Sequence, residues 1–290
     1  MRKKIRYAQR ATFRDVWRTM ELRFKIGLFI LLFFVIVGLI LPRFNPLDTS
    51  QMSTFRKNLP VSSKHLLGTN ALGQDIFWQA VDAVQNSLII GIMVAACSTA
   101  IGVLVGLFAG FSGGLIDRVL TFIGDAIIVI PSLPILILIS SMMSGRTSIM
   151  TIAAVLTVFN WPWPARQARA MALTIREREF INTAHFSGEN RLKIIVCEIL
   201  PYVASWAMSN FINTIMVAIG TESSLAILGL SSTTTATLGN MIYWARQYQA
   251  ILQERWIWIG IPVGLTMLLF IGLFMTFTGY SDYTSRKRGR

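Results

Sequence analysis

An all-α membrane protein that crosses the bilayer six times is the fold class that this chain predicts, and three observations predict it. Hydrophobic residues make up 53% of the 290 positions and charged residues 14%, where an ordinary soluble domain carries about 25% charged residues. The mean hydropathy is +0.57. Six apolar runs, each near the ~20 residues that a bilayer core requires, alternate with polar segments.

The runs justify themselves in order. The first is 24–41, stopped by Pro42. It follows a basic start and no small-residue cleavage pattern comes after it, so it is expected to stay in place as an anchor. The second, 87–111, carries small residues at Gly91, Ala95, Gly102, Gly106 and Gly110, which suit close helix packing. The third, 119–143, contains Pro131 and Pro134, which break its ladder and act as a hinge or as a fixed kink. The fourth, 148 to about 163, runs into Phe-Asn-Trp-Pro-Trp-Pro-Ala-Arg-Gln (159–167), a rigid exit with Arg166 and Arg169 facing head groups or a partner. The fifth runs from about 201 to 219 and the sixth from 256 to 278. Trp161, Trp163, Trp256 and Trp258 lie near span ends, where indole rings anchor at the interface.

Lys and Arg set the orientation. Nine stand in the first 25 residues, one (Arg118) between spans two and three, six between spans four and five, and four in the tail. The remaining seven fall on the opposite side. Both termini are therefore expected in the cytoplasm. The expected divisions are a basic cytoplasmic segment 1–23, a transmembrane domain 24–278 and a basic tail 279–290. Within the domain, outer loops span 42–86 and 220–255 and a cytoplasmic segment spans 164–200. In the second outer loop, Ser-Ser-Leu-Ala-Ile-Leu-Gly-Leu (223–230) reads either as an apolar element dipping into the membrane or as a surface loop.

Composition also excludes functions. The net charge of +13 does not indicate nucleic acid, because the basic residues flank apolar runs and form no aromatic-studded face. Cys97 and Cys197 should lie at different depths, so no disulfide is expected. His65 and His185 stand far apart, and no metal site is expected. No phosphate-cradling G-x-x-x-x-G-K-[ST] is present. An intramembrane enzyme would need a Ser/His, paired-Asp or H-E-x-x-H constellation in the spans. Asp125 is the one acid well inside an expected span, and neither His falls in one.

The most informative stretch is polar. Residues 176–201, Arg-Glu-Arg-Glu-Phe-Ile-Asn-Thr-Ala-His-Phe-Ser-Gly-Glu-Asn-Arg-Leu-Lys-Ile-Ile-Val-Cys-Glu-Ile-Leu-Pro, read as an amphipathic helix, a Ser187-Gly188 break and a second helix running toward Pro201. Held between membrane spans, this is a docking surface for a soluble motor or an ordinary interfacial helix.

The segment 182–201 is similar to the EAA loop of binding-protein-dependent ABC importer permeases. There a Glu-Ala-Ala triplet is followed three residues later by Gly, and Leu-Pro closes the second helix. Here the triplet is Asn182-Thr183-Ala184, then Gly188, then Leu200-Pro201. Asn182 and Thr183 depart from it. The resemblance extends to the dipeptide/oligopeptide/nickel group, in its second-permease branch. It rests on His65 to Phe77 (with Gln74 where Arg is usual), Gly106 to Leu120, Gly124 to Leu136 and Thr221 to Leu230. The run 159–167 resembles members linked to oligosaccharide import.

The resemblance implies a type I importer permease fold in a bacterial or archaeal cytoplasmic membrane. It implies a second, different permease, two ATPase subunits that hold ATP and Mg, and an external solute-binding protein. It implies no cofactor in this chain, no catalytic residue, and a solute that is an oligopeptide, an oligosaccharide or nickel. The ATPase-coupling candidates are Phe180, Asn182, Thr183, Ala184, Phe186, Gly188, Leu200 and Pro201. A passive channel is the competing transport reading, and only an energy-coupled importer needs the docking helix. Pathway candidates are Asp125, which either meets a charged solute group or is paired for structure, and Asn210, Asn213 and Thr214, which share one helix face. That face lines a wet cavity or bonds a neighbouring helix.

Overall fold

The computed structural model describes residues 21–142, 148–231 and 235–288. Most of the basic N-terminal segment, the end of the third expected span at Met143, part of the Thr-rich stretch and Arg290 lie outside them. Among the described residues there is no strand, only an antiparallel bridge between Thr69 and Asp75. The helices are α1 (Leu22–Phe44), α2 (Ile76–Ser112), α3 (Gly114–Val129), α4 (Ser132–Met142), α5 (Ile149–Asn160), α6 (Pro162–Ile175), α7 (Glu179–Phe186), α8 (Arg191–Ile227), α9 (Leu238–Gln247) and α10 (Trp256–Arg288).

Helices α1, α2, α8 and α10 are each long and apolar enough to cross a bilayer. A fifth crossing is a broken pair, α3 and α4, bent by 79°. The break has a local cause. Ile130 precedes Pro131 and takes the extended conformation (φ −72°, ψ 123°) that a following proline imposes. Single helices do not reproduce the expected count of six. The fourth expected span is a 12-residue apolar helix, α5, about 18 Å long, short of a ~30 Å core. It does not stop at Trp163. Trp161 stays helical (φ −69°, ψ −28°), and Pro162, at the position where a missing N–H is tolerated, begins α6.

Three more boundaries differ from expectation. Helix α2 starts at Ile76 because Asp75 caps it, accepting from Phe77 N and Trp78 N at 3.0 and 3.1 Å. Pro201 does not close a helix. Helix α8 runs through it, with a π-helical stretch, Ile194–Ile199, just before. The Leu200 amide bonds Ile195 O, five residues back, and the missing N–H of Pro201 falls where the ladder returns to α register. Residues 223–227 are not a dip but the last turns of α8. The helix ends at Gly229 (φ 77°), with Gly229 N bonded to Ala226 O and Leu230 N to Leu225 O, a closed C-terminal motif.

Glycines set the helix spacing. A Cβ on Gly102 would stand 2.7 Å from Trp161 O, and on Gly110 2.7 Å from Arg169 O, while one on Gly106 would overlap Ala165 O. Backbone therefore meets backbone along the α2–α6 seam, as the small residues predict. On the other side, Gly27 of α1 lies against Thr276 and Gly272 of α10. One buried cluster joins α1, α2, α8, α9 and α10 around Phe34, Leu88, Ile219, Met241 and Trp258. A second joins α2, α6, α7 and α8 around Leu107, Ala168, Ile181, Ile194 and Ile199. The second cluster positions the polar segment.

Candidate functional site

Helix α7 is a short helix between α6 and α8. Among its described side chains, one is buried. Ile181 is 1% exposed and packs in the cluster with Ile194, Ile195 and Ile199 of α8 and Ala168 and Ala172 of α6. Sequence reading missed Ile181 because its neighbours carry the motif. Its apolar type inside a polar segment was the available signal. Phe180 and Ala184 are partly buried on the same side. The Phe180 ring stacks on Tyr202, with centroids 5.2 Å apart and planes at 18°.

The outward side holds Asn182, Thr183 and Phe186. All are exposed, Phe186 to 92%. A phenylalanine so exposed at a helix end is a ready contact for another surface. The helix stops sharply. Gly188 has φ 75°, with nothing within 4 Å of the position a Cβ would take, and Glu189 N bonds back to Ala184 O at 3.2 Å. Lys193 bonds Glu189 at 2.7 Å and steadies the return into α8. Leu200 packs against the second cluster, and Pro201 is exposed on α8.

Charge staples α3 and α6 beside this segment. Arg169 donates to both oxygens of Asp117, at 2.5 and 2.7 Å. This fork fixes Arg169 toward protein instead of a head group. Asp125 borders a small hollow, about 130 Å³, with Arg166, Arg169, Gly124 and Pro162.

The pathway candidates separate. Asn210 is buried, and its amide donates to Thr99 Oγ1 on α2 at 3.1 Å and to Thr214 Oγ1 at 3.3 Å. Thr214 in turn donates to Asn210 O at 2.8 Å. Asn213 instead faces a hollow of about 360 Å³ between α6, α8 and α10, which Asn210 also borders. The other walls are Trp163 and Gln167 of α6, Ser205, Trp206 and Ser209 of α8, and Phe277, Ser281, Thr284 and Ser285 of α10.

At the opposite end, Asp125 is not the sole acid in a span. Glu222, inside α8, is 0% exposed. Its Oε1 accepts from Ser231 at 3.1 Å and Thr237 at 2.9 Å, and Thr237 caps α9 through Asn240 N. Asn86 and Ser87 of α2 bond Ala236 O and Leu238 N. The connection between α8 and α9 is thus stitched to two spans. In the connection between α1 and α2, His65 pairs with Asp75 at 2.8 Å. Gln74, where Arg is usual, is buried in an amide network, accepting from Asn70 and Gln79 and donating to Thr49 O.

A family profile described as "Binding-protein-dependent transport system inner membrane component" matches residues 102–287, from the middle of α2 almost to the end of α10. The chain belongs to this family. The oligopeptide transport system permease protein OppC of Mycobacterium bovis is 33% identical over 224 residues, covering 77% of this chain and 76% of that protein. The dipeptide transport system permease protein DppC of Bacillus subtilis is 33% identical over 219 residues, covering 74% and 68%. A solved chain of the MetNI methionine ABC transporter in inward-facing form superposes with a TM-score of 0.55 at 19% identity, covering 72% of this chain and 97% of that one. The fold of this family member is therefore that of an importer permease, all-α and multi-pass in the membrane. The matched residues include both the α2–α6 seam and α7.

Proposed function

We propose that this chain is the transmembrane permease subunit of a binding-protein-dependent ABC importer. It moves oligopeptides or oligosaccharides across a bacterial or archaeal cytoplasmic membrane, with both termini in the cytoplasm. ATP, with Mg, is hydrolysed in two partner ATPase subunits. A second, different permease completes the pathway, and an extracytoplasmic binding protein delivers the solute. The relatives' names, oligopeptide and dipeptide permease, favour peptide.

One observation carries the reading: a short helix, anchored inward by Ile181 and presenting Asn182, Thr183 and Phe186 outward, between α6 and the membrane-spanning length of α8. Such a helix fits a groove on a soluble subunit. Closure of the ATPases on ATP pulls α7. Because Ile181 and Phe180 tie α7 to α6 and α8, the pull reaches the spans, and the two permeases rock between inward- and outward-facing states around one pathway. In that pathway Asn213 contacts solute, while Asn210 and Thr214 hold α8 to α2 and Asp125 keeps its place near Arg169.

Deletion of residues 183–190 tests this. Uptake in the reconstituted complex should be abolished while the chain still inserts in the membrane. Normal uptake by the deletion would remove the coupling role and leave a passive channel.

A further inference from the structure

The hollow between α6, α8 and α10 has a chemistry that the family assignment does not specify. Its polar groups are all neutral: amides of Gln167 and Asn213 and hydroxyls such as Thr284. Its apolar walls are the rings of Trp163, Trp206 and Phe277. Among the described residues, no acid, Lys, Arg or His lines it. Its volume, about 360 Å³, lies within the ~300–1,000 Å³ of ordinary ligand pockets.

Lipid does not suit these walls. Amides and hydroxyls facing hydrocarbon lose their hydrogen bonds. Among the described residues, neither the Gln167 nor the Asn213 amide has a protein partner, whereas buried Asn210 next to them has two. The larger hollow beside Leu104, Phe108, Ile116 and Leu192, about 650 Å³, is walled by apolar side chains throughout and suits acyl chains. The two hollows differ in kind, and the polar one needs water or a polar solute.

We infer that this hollow is a solute contact site for uncharged hydrogen-bonding groups flanked by apolar faces. Indole rings cover the apolar side of such a group, and the amides and hydroxyls exchange hydrogen bonds at its rim. Two solutes share this chemistry: the main chain of a peptide and the ring of a sugar. A charged terminus or a hydrated metal ion finds no counter-charge among the described walls, which suit the neutral body of a solute. The inference rests on the importer reading proposed above.

The test uses the complete reconstituted importer in proteoliposomes, with Cys97→Ser and Cys197→Ser as background and Asn213→Cys as reporter. Maltotriose and end-blocked trialanine are the neutral probes, and trilysine is the charged one. During turnover, one neutral probe should slow thiol labelling at position 213 at least threefold, and which one does so names the source. Separately, Asn213→Asp should lower neutral probe transported per ATP hydrolysed at least tenfold, with Asn213→Ser recovering most of it. Protection by trilysine alone, or an Asp variant that equals the wild type with every probe, would overturn the site. If the parent complex shows no probe-stimulated ATPase at all, the importer reading fails, and the site with it.

Discussion

Phe180 of the short helix stacks nearly parallel on Tyr202 of the long helix that follows it, across the break at Gly188. The contact bridges the proposed docking element and a membrane span without passing through the turn. An aromatic pair of this kind contributes about 0.5–1.5 kcal/mol beyond area burial. We predict that Phe180→Ala and Tyr202→Ala each lower uptake several-fold while ATPase activity persists, and that the double variant is no worse than either single one. Additive losses would show that the pair does not act as a unit. Ile181→Ala is a different case. It empties a sealed position and should cost about 2–4 kcal/mol, read as a lower melting temperature of the purified complex.

Asp117 and Arg169 join α3 to α6 by two parallel bonds. Lys at 169 keeps the charge but loses the fork, so Arg169→Lys is expected to destabilise by about 1–2 kcal/mol. Asp117→Ala should cost more, because it strands a half-buried guanidinium. Thermal melting compares the two. Equal melting for Arg169→Lys and wild type would mean the fork contributes nothing.

Gly106 sits where α2 and α6 touch backbone to backbone. A methyl group there meets a carbonyl that cannot swing away, unlike a side-chain tip. Gly106→Ala should therefore lower the yield of folded protein, and Gly106→Leu should abolish it. Gly264, with nothing within 4 Å, is the control, and Gly264→Ala should be neutral or slightly stabilising. Size-exclusion profiles in detergent decide this, and a monodisperse Gly106→Leu protein would contradict the seam.

Glu222 accepts two hydroxyl hydrogen bonds in a fully buried place. Glu222→Ala leaves Ser231 and Thr237 without that acceptor, a loss of about 1–3 kcal/mol. Glu222→Gln retains an oxygen and should lose less. Limited proteolysis of the α8–α9 connection reads the effect directly: faster cleavage for Ala, near-normal for Gln. Unchanged cleavage for Ala would remove the clamp.

Several features were legible because they are local. The Gly188 break follows from a residue that alone takes positive φ cheaply, and the α3–α4 kink follows from Pro131. Helix ends beyond the apolar runs were not legible by hydropathy, since α2 begins at its Asp75 cap and α8 persists through Pro201. Among the pathway candidates, Asn210, Asn213 and Thr214 share a face at i, i+3 and i+4. Yet that face meets α2 on one edge and a hollow on the other, and spacing cannot separate the edges. The end of the fourth apolar run was not legible, because a proline pair reads as an exit although Pro162 is tolerated as the first residue of a helix, α6.

Low charge, long apolar runs and a polar helix–turn–helix at motif spacing permit a multi-pass helical importer permease and little else, so the class is written along the chain. Those signals are one-dimensional, set by the thickness of a bilayer and by the backbone limits of glycine and proline. Which side of α7 is anchored, that Glu222 is sealed, and that Trp163, Trp206 and Asn213 share a hollow emerge from helix packing alone. Each of these depends on which helices meet and at what rotation. That is fixed by packing between residues tens to hundreds of positions apart, which no local pattern records.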